Sequence, residues 1–461
     1  MARLLDIPLE LLSTIFDFVL KPSHLAALCL VSKAFNTFAT PVLYRCVHIL
    51  PWHKDAKLKL VSLLQTLTDC PHLAVHVRKL EIRDFPKGHS SYSYLLGLCV
   101  EGIKNCINIK SCIWTRDGSL HTDILESLCS DCPQLEELEI NGSSGSYDPA
   151  VLPRFQKLKN ISLIMPSTPV LDALPAWMSA TRATLRSLTI ICKTSTHVTD
   201  AFLESLSPHL TDLELLFVVG CPKVTHRGIG ALVSGNHEGL LTLNLEGLSQ
   251  SFDMSTFKNV CHHTQAFRRL RSITLTVDTH MPVVDWTQNI DRLLGTAPLE
   301  VFQLYFTNAL GDTPIPDDFW RSIATTHGSR LKCFSVHRMQ LSLAVLRSIC
   351  SQCPRLEQLF VVLRQGDLTA AAPLLALAEN LCTLHIIISG GPQMSLATMM
   401  ETALFLTLRC SSTLTQIGCN TRVWQVQRTV YVDENGKKYT SPTLAPRENP
   451  EIPEQFLVIR A

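Results

Sequence analysis

Neither sign of charge predominates in this sequence: 41 Lys and Arg stand against 40 Asp and Glu in 461 residues. That balance leaves no basic footprint for nucleic acid or for an anionic lipid surface, and points to proteins as partners. Long apolar runs are lacking too. The most apolar stretch, AAAPLLALAENLCTLHIII, is broken by Pro373, Glu379 and Asn380 before it could span a bilayer. At the N-terminus Asp6, Pro8 and Glu10 interrupt the run that a secretory leader needs, so a cytoplasmic or nuclear protein is expected. Catalytic constellations are equally scarce. NGSSGS misses the nucleophile-elbow spacing by one residue, and RGIGALVSG has the wrong glycine spacing for a dinucleotide loop. Cys261, His262 and His263 are adjacent in sequence, and neighbours on a helix do not face one another, so they read as a helix end with solvated histidines; an intracellular hydrolase with an unrecognised Cys and His pair is the remotest reading. No cofactor is implied.

Cysteine is abundant, with 17 residues, and two segments repeat a C-x-x-C-P-x-L-E-x-L skeleton, from Cys129 and from Cys350. The spacing suits zinc or thiol redox chemistry, but the helical pattern around each pair places Cys129 and Cys350 on packed faces. Cys132 and Cys353 then fall at helix ends before Pro133 and Pro354. Two pairs many units apart cannot complete one tetrahedral site. A structural role without metal is expected.

The repeated skeleton belongs to a longer series. The pattern L-x-x-L-x-L recurs at Leu135-Leu138-Ile140, Leu158-Ile161-Leu163, Leu185-Leu188-Ile190, Leu210-Leu213-Leu215 and Leu240-Leu243-Leu245. It continues from Leu270-Ile273-Leu275 through Leu299, Leu331 and Leu356 to Leu381-Leu384-Ile386. Weaker copies lie at Val77-Leu80-Ile82, Ile109-Cys112-Trp114 and Leu414-Ile417-Cys419. The spacing runs from about 23 to about 33 residues, and each copy reads as a short strand with one buried face followed by a helix. The units resemble leucine-rich repeats of the irregular, cysteine-bearing kind. CPKVTHRGIGAL, with Cys221, Val224, Thr225, Gly228, Ile229 and Leu232, is the fullest match to that family's motif. The resemblance implies an α/β solenoid, a curved parallel sheet with helices on its convex side.

Ahead of the repeats, Leu11, Leu12, Ile15, Phe16 and Val19 form an apolar face on a helix that Asp6 can cap and Pro22 ends. HLAALCLV and SKAFNTFA, the latter capped by Ser32, read as two further short helices. About 45 residues are few for independent stability, and so much apolar surface in them calls for an outside partner. Ile7, Pro8, Glu10, Leu11, Ile15, Phe16, Leu25, Val31, Ser32, Lys33 and Phe35 meet the F-box pattern, and TPVLYRCV is similar to the end of such modules in fungal proteins. His24 and Phe35 depart from the commoner Asp and Trp. This resemblance to F-box proteins implies an all-α module in which Pro8, Leu9, Leu12, Ile15, Phe16, Leu25, Leu28 and Val31 help bind a Skp-type adaptor and, through it, a cullin. The alternative is a helical cap on the first repeat.

The expected organisation is therefore an F-box at 1–48, repeats at 49–424 and a tail at 425–461. Within the tail, TVYVDENGKKYT reads as a hairpin turning at Asn435-Gly436, and the apolar QFLVIR is expected to fold back on the last repeats. By strand alternation, residues flanking the buried positions face outward. The middle units offer Ser187 and Thr189, Asp212 and Glu214, Thr242 and Asn244, and Ser272 and Thr274. The later units offer an apolar stripe of Tyr305, His337, Phe360, Val362, His385 and Ile387, the candidate contact surface for a protein target. The tail is the rival occupant of that stripe. Lys79 and Arg83 are confined to the first unit, which argues against recognition of a phosphorylated target. The function implied is that of a non-enzymatic substrate receptor in an SCF-type ubiquitin ligase, with a protein-interaction scaffold as the alternative.

Overall fold

Pro8, Leu9 and Glu10 form a turn, in which the Leu11 and Leu12 amides donate to the Pro8 and Leu9 carbonyls at 3.0 Å. Helix α1 (Leu11–Asp17) follows without a side-chain cap. Asp6, expected as that cap, lies outside the described residues; the computed structural model describes 8–19, 21–50, 55–85, 92–278, 281–307, 315–391, 394–432 and 438–446. Pro22 does not end α1 but opens α2 (Pro22–Cys29), where its fixed φ suits a first helical turn. Ser32 caps α3 (Lys33–Arg45) by accepting from the Phe35 amide at 3.2 Å. This helix outruns the sequence expectation by continuing through Pro41. The proline removes one ladder bond, but Val42 and Leu43 beyond it pack against the core of Leu12, Phe16, Leu25, Phe35 and Ala39 and hold the helix continuous. At the centre the Phe16 and Phe35 rings stand 5.3 Å apart.

The chain divides into two compact units, the first running to Val198 and including Glu204–Leu213. Its strands β1 (Cys46–Ile49), β2 (Lys79–Ile82), β3 (Ser111–Trp114), β4 (Glu137–Asn141), β5 (Asn160–Ile164) and β6 (Ser187–Ile191) pair in chain order, all parallel. Parallel neighbours require a crossover, and helices such as Thr122–Asp131 supply it. The register stacks Leu80, Cys112, Leu138, Ile161 and Leu188 in one buried row, with Ile82, Trp114, Ile140, Leu163 and Ile190 in the next. These are the apolar positions of the sequence repeat. Strand β1 lay unmarked in the sequence because it carries no copy of the motif.

The second unit comprises Thr199–Leu203 and Glu214–Glu448. Here β7 (Leu215–Val219), β8 (Thr242–Glu246), β9 (Ser272–Val277), β10 (Val301–Phe306), β11 (Cys333–Gln340), β12 (Gln358–Arg364), β13 (Thr383–Ser389) and β14 (Gln416–Cys419) are parallel in order. Leu216, Leu243, Ile273, Phe302, Phe334, Leu359, Leu384 and Ile417 align in one buried row. That alignment corrects one unit: the repeat is Leu213-Leu216-Val218, not Leu210-Leu213-Leu215, so Leu215 and Phe217 replace Asp212 and Glu214 as the outward pair. In β11 the register slips between Ser335 and Gln340, where Arg338 takes a positive φ of 64°. The parallel run ends at β15 (Arg422–Val432), antiparallel to β14, and β16 (Lys438–Pro446), antiparallel to β15. The hairpin thus starts seven residues earlier than Thr429. Its expected turn at Asn435-Gly436 and the segment QFLVIR lie outside the described residues.

Candidate binding surfaces

The eight residues expected to meet an adaptor do not share one surface. Leu12, Phe16 and Leu25 are core, Leu28 is half-buried, and Pro8, Leu9, Ile15 and Val31 are exposed. The physical reason is helical spacing. Leu12, Phe16 and Val19 sit at i, i+4 and i+7 and face inward, while Leu11, Ile15 and Phe18 repeat the same spacing one residue earlier and face out. A single apolar face drawn through all of them merges two neighbouring ones. Phe18, 81% exposed, and Leu30, 87% exposed in the turn after α2, were missed although the i, i+4, i+7 spacing marks Phe18.

The stripe in the second unit is contiguous. The Tyr305 and His337 rings stack with centroids 4.2 Å apart and planes 10° apart. His337 to Phe360 is 6.1 Å, and Phe360 to His385 is 6.0 Å. The sequence expectation of an exposed patch is not met: Tyr305, Phe360, Val362 and His385 are buried, and His337 and Ile387 are half-buried. Strand β12 has apolar residues buried on both faces. The middle units are also less open than expected, because Ser187, Asn244 and Thr274 are buried. His385 Nε2 lies 2.9 Å from the Asn420 carbonyl, which can only accept, so that nitrogen carries the proton. Its Nδ1 faces Gly418, where a Cβ would come within 2.5 Å. His337 Nε2 is 2.6 Å from Ser335 Oγ. Burial pushes the His337 pKa down to about 3, with the charges of His385 and Arg338 acting in the same direction. Burial lowers His385 as well, against the bond to Asn420. Both rings are neutral at physiological pH.

In the first unit, Arg83 is held by Glu81 and by Glu139 at 3.3 Å. The guanidinium is therefore engaged by carboxylates. Burial raises the Glu139 pKa, and Arg83 opposes that.

The C-x-x-C thiols sit in packed surroundings. Cys132, Cys350 and Cys353 are buried and Cys129 is half-buried, so in the first pair the helix-end cysteine is the deeper one. Burial pushes Cys132, Cys350 and Cys353 up to about 12, which keeps them as thiols. Cys132 Sγ donates towards the Cys106 carbonyl at 3.7 Å. His262 and His263 are exposed while Cys261 is buried. Among the described residues no helix is long and apolar enough to cross a membrane.

Comparison with known proteins bears on the N-terminal module first: the F-box-like family matches residues 4–50. F-box protein DAS1 of Saccharomyces cerevisiae is 29% identical over 145 residues, a match spanning 30% of this chain and only 20% of the yeast protein. The crystal structure of the yeast Rad7 and Elc1 complex aligns with 77% of this chain and 87% of its own, at 14% identity and a TM-score of 0.42. The three-helix module is thus similar to the F-box-like family, and a series of strand–helix repeats with a parallel sheet follows it.

Proposed function

We propose that this chain is the substrate-recognition subunit of an SCF-type ubiquitin ligase. Its F-box docks a Skp-type adaptor that links to a cullin, and its repeats hold a protein target. The observation that carries this reading is the apolar face Leu11, Ile15 and Phe18, left uncovered together with Leu9, Leu30 and Val31 on a module within the F-box-like match. So many large apolar side chains on so small a module mark a contact surface. Of the eight residues proposed for the adaptor, Pro8, Leu9, Ile15 and Val31 touch it, Leu28 lies at the rim, and Leu12, Phe16 and Leu25 hold the helices from behind. The target face is placed on the stripe of Tyr305, His337, Phe360, Val362, His385 and Ile387, where the half-buried His337 and Ile387 can touch a partner and the buried Tyr305, Phe360, Val362 and His385 back them as a rigid stack. The contribution to rate is proximity, with ubiquitin transfer performed by other subunits.

The test is co-purification with a Skp-type adaptor. Ile15→Asp with Val31→Asp places two charges in an apolar interface while leaving the module's core untouched, and should weaken adaptor binding by about two orders of magnitude or more. Unchanged binding removes the F-box reading. Adaptor binding by the parent chain without accelerated turnover of any captured protein selects the scaffold instead.

A further inference from the structure

The balanced net charge of the chain conceals an uneven distribution along one rim of the first unit's sheet. The residues that precede strands β2 to β6 are Arg78, Lys110, Glu136, Lys159 and Arg186. Strand register sets them side by side, and the backbone locks them there. Each amide donates to the carbonyl of the one before: Lys110 to Arg78 at 2.8 Å, Glu136 to Lys110 at 2.9 Å, Lys159 to Glu136 at 2.7 Å and Arg186 to Lys159 at 2.8 Å. Four cations thus share one row with a single carboxylate. The row escapes the sequence because each repeat contributes one residue to it, 23 to 32 positions after the last.

The carboxylate does not cancel the excess. Lys159 takes Glu136 at 2.8 Å, while Arg78, Lys110 and Arg186 form no ion pair with any described carboxylate. Arg78 donates to the Asn108 carbonyl at 3.2 Å and Arg186 to the Leu185 carbonyl at 2.8 Å, contacts that steady the guanidinium groups and leave their charge uncompensated. Lys110 and Lys159 are exposed, and Arg78 and Arg186 half-buried. Flanking positions supply no surplus of acid. The first residues of the strands set Lys79 against Glu137, Arg83 holds Glu81 and Glu139, and two residues ahead of the row stand His76, Asn108, Gln134, Lys157 and Thr184. Beyond Arg78 the row reaches Arg45, whose charge Asp17 takes at 2.7 Å. The second unit carries a different row at the same position: Glu214, Leu241, Arg271, Glu300, Lys332 and Glu357, in which Glu300 pairs with Arg271 at 3.1 Å and with Lys332 at 2.8 Å. Building the repeat therefore does not require the cationic excess of the first unit.

Spacing says what the excess fits. Parallel strands lie about 4.8 Å apart, so the four cations stand at about 0, 5, 14 and 19 Å along the rim. An extended peptide shows alternate side chains on one face about 6.6 Å apart, placing four of them at about 0, 7, 13 and 20 Å. The flexible stems of Lys and Arg absorb such differences. Glu136 falls in the gap between the second and third, where the intervening peptide side chain points away.

We propose that this rim binds an extended acidic segment of a partner protein, with Glu or Asp at four alternate positions. A nucleic acid fits less well, because no Phe, Tyr or Trp stands in the row or beside it to stack a base, and a phosphate on every nucleotide would meet Glu136. The assignment does not rest on adaptor docking, and it uses no residue of the stripe from Tyr305 to Ile387.

Fluorescence anisotropy of the full chain with a labelled Glu-Ser-Glu-Ser-Glu-Ser-Glu peptide, in about 50 mM salt to limit screening, tests it. The controls are the same peptide with Gln for Glu, and octathymidylate. The Glu peptide should bind at least about tenfold more tightly than the Gln peptide, and more tightly than the oligonucleotide. Lys110→Gln with Arg186→Gln should weaken it about three- to thirtyfold, the loss of two exposed charge contacts. Arg271→Gln with Lys332→Gln, at the same position in the second unit, should leave it unchanged. Equal binding of the Glu and Gln peptides, oligonucleotide binding as tight as that of the Glu peptide, or equal effects of the two double variants overturns the proposal. Circular dichroism of each variant confirms that a lost signal is not lost folding, and the peptide comparison on the parent chain needs no variant.

Discussion

Single residues tie neighbouring repeats together, and Asp200 shows how. Its carboxylate accepts from the Thr225 amide and hydroxyl, each at 2.7 Å, and from the Gly228 amide at 3.0 Å, closing the start of helix His226–Ser234. Position 228 must be glycine because a Cβ there would meet Asp200 Oδ1 at 2.7 Å and its Cα at 3.0 Å. Burial alone would raise the Asp200 pKa, but the bonds from Thr225 and Gly228 outweigh it and the net shift is downward. Asp200→Ala should lower the stability of the second unit by about 1–3 kcal/mol, read as a shift in urea midpoint, since it removes the acceptor of the Thr225 and Gly228 amides. Because the folded pKa lies below the unfolded one, this contribution is complete above about pH 4 and disappears as pH falls through the folded value. An Asp200→Ala variant as stable as the parent at pH 7 would show the cap to be idle.

At the level of elements, what the sequence disclosed and what it hid follow from the range of the forces involved. Strand positions such as Leu138 and Ile140, or Leu359 and Val361, are fixed by an alternation contained in three residues, and they are buried as read. Helix faces are harder, because Leu11 and Leu12 are equally apolar and only the packing of α2 and α3 decides which turns inward. The slip at β7 has a similar cause: Leu213, Leu215 and Leu216 offer two registers, and pairing with Thr242 and Leu243 selects one. The continuation of α3 past Pro41 depends on contacts of Val42 and Leu43 that no local rule contains. Capping, by contrast, was readable, since Ser32 precedes the helix it caps. Ser32→Ala should destabilise the three-helix module by about 1 kcal/mol, and amide exchange in α3 should accelerate while exchange in β8–β10 stays unchanged. Uniform acceleration throughout the chain would mean that the module does not open on its own.

Across the molecule, the buried histidines set the response to acid. Burial leads the downward shift at His48 in the first unit and at His327, His337 and His385 in the second. In each, the unfolded chain takes up a proton near pH 6.5 that the folded chain refuses. The sign follows: stability is full above that pH and falls on acidification, until pH reaches the folded pKa. For His337 that lower bound is about 3, so the loss extends over the whole range from 6.5 downward. One such histidine costs about 1.4 kcal/mol per pH unit once the unfolded imidazole is protonated. Between about pH 6.5 and 4 this loss proceeds without the Asp200 contribution changing, so the histidine slope is read there. His337→Phe keeps a ring between Tyr305 and Phe360 and removes the titrating group. Urea midpoints of the second unit at pH 7.5, 6.5 and 5.5 should therefore fall for the parent and fall less steeply for His337→Phe, by close to one proton's worth of slope. If the two slopes coincide, the folded chain accepts a proton at His337, and the stack from Tyr305 to His385 is a charged surface rather than the neutral one described here.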